Sequence, residues 1–121
     1  MNIKVIHVPA NPNLPIAVKE LSDNAEIQHQ QMYDLVQGWL EIVPTPTHEI
    51  TIWCNEEGKL QNLPINKRIN ELWRSIINTQ MKVPSFLQLD VIVGNVFISG
   101  PISPDGDLSP LPDSVIQLLT Q

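Results

Sequence analysis

The sequence predicts an α+β fold, an antiparallel sheet of about four strands with two helices packed against it. Three observations carry the expectation. Ile3–Val8 and Val91–Ser99 are β-branched runs of strand length. Residues 25–37 and 65–78 instead repeat their apolar positions at helical spacing. The resulting order of strand, helix, strand, strand, helix, strand matches the split βαβ, ferredoxin-like pattern, with helices on one face. An irregular sheet wrapped around the 65–78 helix is the competing topology, because the first connection is long and the link at Gly38 is tight.

In chain order, Pro9 closes the first strand by removing a backbone donor. Prolines at 9, 12 and 15 with intervening asparagines make residues 9–15 a loop. Ile16–Leu21 suits either a short strand or a helical turn, and Ser22, Asp23 and Asn24 offer capping side chains for a helix. That helix carries Ile27, Met32, Leu35 and Val36 and ends where Gly38 would supply a left-handed cap. Trp39–Val43 and Glu49–Cys54 read as paired antiparallel strands, the second alternating Ile50, Ile52 and Cys54 against Thr51 and Trp53. Ile65, Ile69, Leu72, Trp73, Ile76 and Ile77 line one side of the next helix, with Pro64 suited to its first turn. Residues 79–88 read as a loop or lid, Gly94 as a bulge in the last strand, and Val115–Leu119 as a short closing helix.

A chain of 121 residues with 42% hydrophobic and 17% charged content is expected to fold as one domain, 1–121, with a real core. Its net charge of -6 disfavours nucleic acid as a partner, since no counterion-releasing basic surface is apparent. The single cysteine, Cys54, forms no internal disulfide, which fits a cytosolic setting. Met1–Pro9 reads as a strand rather than a leader, and no apolar run is long enough to span a bilayer.

Chemistry-bearing residues concentrate in Ile52–Arg68, between two apolar elements. Glu56 and Glu57 are adjacent in a turn, whereas paired catalytic carboxylates need a substrate-sized gap, so solvated turn acids explain them better. Asn55 and Asn66 would present amides to a ligand or satisfy local backbone groups. Lys67 and Arg68 near a helix start would suit an anion, or stand solvated. Cys54 sits in an apolar alternation and reads as a core thiol. His7, His29 and His48 lie on separate elements, which argues against zinc. Asp105-Gly106-Asp107 lacks the later ligands of a calcium loop. Trp39, Trp53 and Trp73 read as core, although an exposed one could stack on a base. Asp34 and Glu41 have no evident partner in sequence.

The combination of Val36-Gln37-Gly38-Trp39-Leu40-Glu41, Asn55-Glu56-Glu57-Gly58-Lys59-Leu60, Leu63-Pro64-Ile65-Asn66 and Val93-Gly94-Asn95-Val96 resembles an uncharacterised domain family. Its members are small proteins of bacteriophages, plasmids and other mobile elements. The resemblance covers Ile3 to Leu111 and departs at two places. The family reads Gly-Gly where this chain has Gln37-Gly38, and the Thr79–Gln88 loop is longer. It transfers no chemistry, but it implies a mobile-element protein in the bacterial cytoplasm.

Two function classes follow. The first is a non-catalytic counter-defence binder, one that sequesters a nucleotide-derived or other anionic signal, within one copy or between two. Its expected ligand-binding set is Trp53, Asn55, Glu56, Asn66, Lys67 and Arg68, with no catalytic residue, metal or cofactor. Alanine at Asn66 and Arg68 is then expected to abolish ligand retention while leaving the fold intact. The second is an interaction module presenting an acidic face or an edge strand to a host or phage protein. Convergence of Asn55, Asn66 and Arg68 on one pocket would favour the first; a flat apolar patch would favour the second.

Overall fold

The computed structural model describes residues 2–45, 49–79 and 90–120. Most of the expected 79–88 lid, and His48, therefore lie outside the described residues. The elements run β1 (Ile3–Val8), β2 (Ala17–Leu21), α1 (Ala25–Val36), β3 (Leu40–Ile42), β4 (Thr51–Asn55), α2 (Lys67–Thr79), β5 (Val96–Ser99) and α3 (Asp113–Leu119). The strands form one five-stranded sheet in the order β2-β1-β5-β4-β3, with every neighbouring pair antiparallel.

The α+β class is as expected, with one more strand than the four anticipated, and beside the two main helices the short closing helix expected at Val115–Leu119 forms as α3. The extra strand is the 16–21 stretch, which pairs with β1 from Ile3↔Leu21 to His7↔Ala17. The ferredoxin-like order is corrected, because β5 lies between β1 and β4, where that order would make β1 and β4 parallel neighbours. All four β5 residues are buried, so this strand gains most from a central place with neighbours on both sides.

Helices also cover both faces of the sheet rather than one. β1 explains why, since its apolar residues occupy both phases of the pleat. Val5 joins Leu21, Met32, Val36 and Phe97 on the α1 side. Ile6 and Val8 join Ile52, Ile69, Trp73, Ile77 and Ile98 on the α2 side, where α3 adds Val115, Ile116 and Leu119. Each fully buried large side chain contributes about 1.5–3 kcal/mol, so leaving either face bare would forfeit much of the core.

Element ends differ from expectation where polar side chains intervene. Asn24 caps α1, its Oδ1 accepting from the amides of Glu26 and Ile27, both at 3.1 Å. The left-handed residue ending that helix is Gln37, at φ 60°, and not Gly38. Pro64 and Ile65 stay outside α2: the Pro64 carbonyl accepts from Gly94 N at 2.7 Å, and Ile65 bridges Val93. α2 starts at Lys67 because Asn66 Oδ1 takes the Ile69 amide at 3.2 Å, acting as its cap. β5 starts only at Val96, since Gly94 adopts φ 78° and turns the preceding segment across the start of α2.

Candidate functional site

The β3–β4 hairpin register pairs Leu40 with Asn55, Glu41 with Cys54 and Ile42 with Trp53. Alternation along β4 then sends Cys54 to the α2 face and Trp53 to the α1 face. On the α2 face a cavity of about 280 Å³ opens beside the free edge of the sheet. Its walls come from β3 and the following Val43-Pro44, from the 54–60 stretch, from Trp73 of α2 and from residues 90–93. Trp73, 1% exposed, is held by its Nε1 donating to the Pro44 carbonyl at 3.0 Å.

Three carboxylates, Glu41, Glu56 and Asp90, face a single lysine, Lys59. Lys59 is already paired with Asp90, and that hydrogen bond holds the Asp90 carboxyl below its usual range. Arg74 also donates to the Asp90 carbonyl at 2.8 Å, and among the described residues Glu41 and Glu56 still leave an excess of negative charge around the opening. Burial pushes the Cys54 thiol up to about 12, and the adjacent Glu41 charge adds to the shift. The protonated thiol donates to Glu41 Oε2 at 3.9 Å. Among the described residues no histidine lines the cavity beside the Cys54 thiol.

Of the six expected site residues, Asn55 and Glu56 line this cavity and the other four do not. Asn55 is buried, and its amide joins three pieces of backbone. Nδ2 donates to the carbonyls of Val36 and Gln37 at 3.3 and 3.1 Å, while Oδ1 accepts from Glu57 N at 2.8 Å. It therefore satisfies the last carbonyls of α1 and shapes the 56–62 turn. Asn66 is 0% exposed, with Nδ2 donating to the Val8 and Gly94 carbonyls at 2.8 and 2.9 Å. Arg68 donates through Nη2 to the Pro9 and Asn11 carbonyls and borders a separate apolar cavity of about 120 Å³. Lys67 is exposed. Trp53 stacks on Phe97 on the opposite sheet face and donates to Ser99 Oγ at 2.9 Å. Asn55, Asn66 and Arg68 thus do not converge.

Cavity residues outside the expected binding set include Glu41, Lys59, Leu60, Trp73 and Asp90. Glu41 was within reach, because the hairpin register alone sets it opposite Cys54. Trp39 is exposed rather than core and meets Tyr33 edge-on at 5.8 Å. Asp34 accepts from Gln30 Nε2 at 2.9 Å, one helical turn away.

Among the described residues no group of three His, Cys, Asp or Glu side chains could hold a metal ion, and no helix is long and apolar enough to cross a membrane. Comparison with curated proteins and with solved structures found no significant match. A family model described as a domain of unknown function (DUF3846) does match, over residues 3–121, and the chain belongs to that family.

Proposed function

We propose that this chain is a non-catalytic binding protein that engages a protein partner at the β3 edge and its cavity. The setting is that of a small phage or plasmid protein in the bacterial cytoplasm, where it modulates a host or phage protein. The carrying observation is the arrangement of charge and shape at this edge. Glu41, Glu56 and the already paired Asp90 surround an opening flanked by the exposed Ile42 and Leu60. An apolar rim with acidic groups suits a protein surface, whereas an anionic metabolite would meet like charge there.

Sequestration of a small molecule remains the second reading, favoured by one observation. The cavity volume of about 280 Å³ is close to the lower end of small-molecule sites, which run from about 300 Å³.

Native mass spectrometry of the protein after incubation with extract of phage-infected bacteria separates the two. Retention of a host or phage protein, lost in the Glu41→Lys variant, is the expected result. A small molecule released by heat, with no protein retained, would replace this reading with the second. A chemically altered product would make the chain an enzyme.

A further inference from the structure

The hydrogen-bond pattern of β3 shows which of its backbone groups are spare. Val43 N donates to Ile52 O at 2.9 Å and Glu56 N to Trp39 O at 2.8 Å. Residues 39, 41 and 43 therefore turn their amides and carbonyls towards β4, and Leu40 and Ile42 turn theirs outward. Among the described residues no group meets them. The other sheet edge, β2, also ends the sheet, but it carries Lys19 and Glu20 at successive positions, and the cavity bordered by the neighbouring Ile16 has no acidic residue in its lining. Mixed charges of that kind are how edges are kept from pairing.

We propose that the outer edge of β3 accepts an extended segment of a protein partner as a sixth strand, with an Arg or Lys of that segment entering the cavity beside Glu41 and Glu56. This rests on the protein-partner reading above and names the partner's chemistry. Main-chain hydrogen bonds to Leu40 and Ile42 supply affinity without sequence preference, and the cavity selects one side chain. Charge complementarity selects a basic one, because among the described lining residues Glu41 and Glu56 have no cationic partner while the one lysine is taken by Asp90. The same charge rejects a second copy of this chain. Antiparallel pairing of two β3 strands of only three residues would bring the two Glu41 carboxylates close together, and each chain carries a net charge of -6.

The test uses the full chain and two eight-residue peptides of alternating Val and Thr, capped at both ends, one with a central Arg and one with a central Glu. Affinity is read by calorimetry, and protection of the Leu40 and Ile42 amides by hydrogen exchange. The Arg peptide is expected to bind at least about tenfold tighter, to weaken as salt is raised, and to protect both amides. Glu41→Lys should invert the preference. Ile42→Pro removes only an outward amide and should abolish binding of both peptides, with circular dichroism confirming that it folds. Equal binding of the two peptides, binding without protection at Leu40 and Ile42, or no binding would overturn the proposal. So would protection of these amides by self-association without peptide. If extract yields a partner that Glu41→Lys loses but Ile42→Pro retains, the added-strand proposal fails while the reading of a protein partner at the acidic cavity stands; if no protein is captured at all, both fail.

Discussion

Asn70 and Ile92 hold each other at two points: the Asn70 Nδ2 donates to the Ile92 carbonyl at 2.7 Å, and its Oδ1 accepts the Ile92 amide at 2.9 Å. A helix side chain here takes the place of a neighbouring strand. One turn earlier, Asn66 N donates to the same Ile92 carbonyl at 3.1 Å, while its side chain reaches Val8 and Gly94. The two asparagines thus fasten the start of α2 to β1 and to the segment that walls the cavity.

The first prediction follows from that fastening. Asn66→Ala strands two carbonyls and an amide in a fully buried place, and Asn70→Ala leaves the Ile92 amide unmet and its carbonyl with the Asn66 amide alone. Each should cost about 2–4 kcal/mol in urea denaturation. Arg68→Ala, at a half-exposed site bonded only to two loop carbonyls, should cost less than about 1 kcal/mol. The expectation that Asn66→Ala would spare the fold is therefore reversed. Denaturation midpoints for Asn66→Ala and Arg68→Ala that coincide would refute the distinction.

Gln37 adopts φ 60° at the end of α1, a conformation that favours glycine. Gln37→Gly should stabilise the protein by up to about 1 kcal/mol, seen as a melting temperature a few degrees higher. Gly38→Ala should act the other way. A β-carbon there would lie 2.4 Å from Asn55 Nδ2, forcing out the amide that holds the Val36 and Gln37 carbonyls. An unchanged melting temperature in both variants would show that this helix end stores no strain.

How far the sequence was legible depended on whether one element or two decided the outcome. β1, α1 and β4 could be read within a residue or two, because each carries its own periodicity. The place of β5 could not, since its burial on both faces shows only once the helices are assigned to sides. Asn55 and Asn66 read as amides for a ligand or for local backbone groups. Each does accept from a local amide, Glu57 N and Ile69 N, but the backbone carbonyls that their Nδ2 groups reach lie 18 to 58 residues away. Such partners are set by tertiary contact, so spacing along the chain cannot tell a ligand amide from a brace. The cavity is assembled from four separate stretches, and only the Glu41–Cys54 pairing could have been drawn from a hairpin register.

Cys54 should be slow towards alkylation despite lying at a cavity wall. With the thiol pushed to about 12 from an ordinary 9.0, the thiolate fraction at pH 8 falls about a thousandfold. Iodoacetamide labelling at pH 8, followed by mass spectrometry, should leave the native protein unmodified while the urea-unfolded chain reacts. A raised folded-state value also means that stability is complete below about pH 9 and declines as pH rises from there towards 12. Cys54→Ala should flatten that decline; equal labelling rates for folded and unfolded chain would refute the shift.

The last prediction concerns acid. His7 lies on β1, half buried, with its Nε2–H donating to the Leu35 carbonyl at 3.1 Å. Desolvation lowers its pKa below 6.5; the Leu35 hydrogen bond opposes this and the nearby Lys19 charge reinforces it. In the unfolded chain the imidazole takes a proton as pH falls past 6.5, whereas the folded protein resists, so protons favour unfolding. The stability contribution is therefore present above pH 6.5 and is lost as pH falls below it. Asp90, also depressed, acts in the same direction but only in the carboxylate range, so the two windows separate. Urea denaturation should show a loss of stability between about pH 7 and 5 that His7→Gln removes, because glutamine can still donate to Leu35 but does not titrate. A slope that survives in His7→Gln would assign the acid sensitivity to another group.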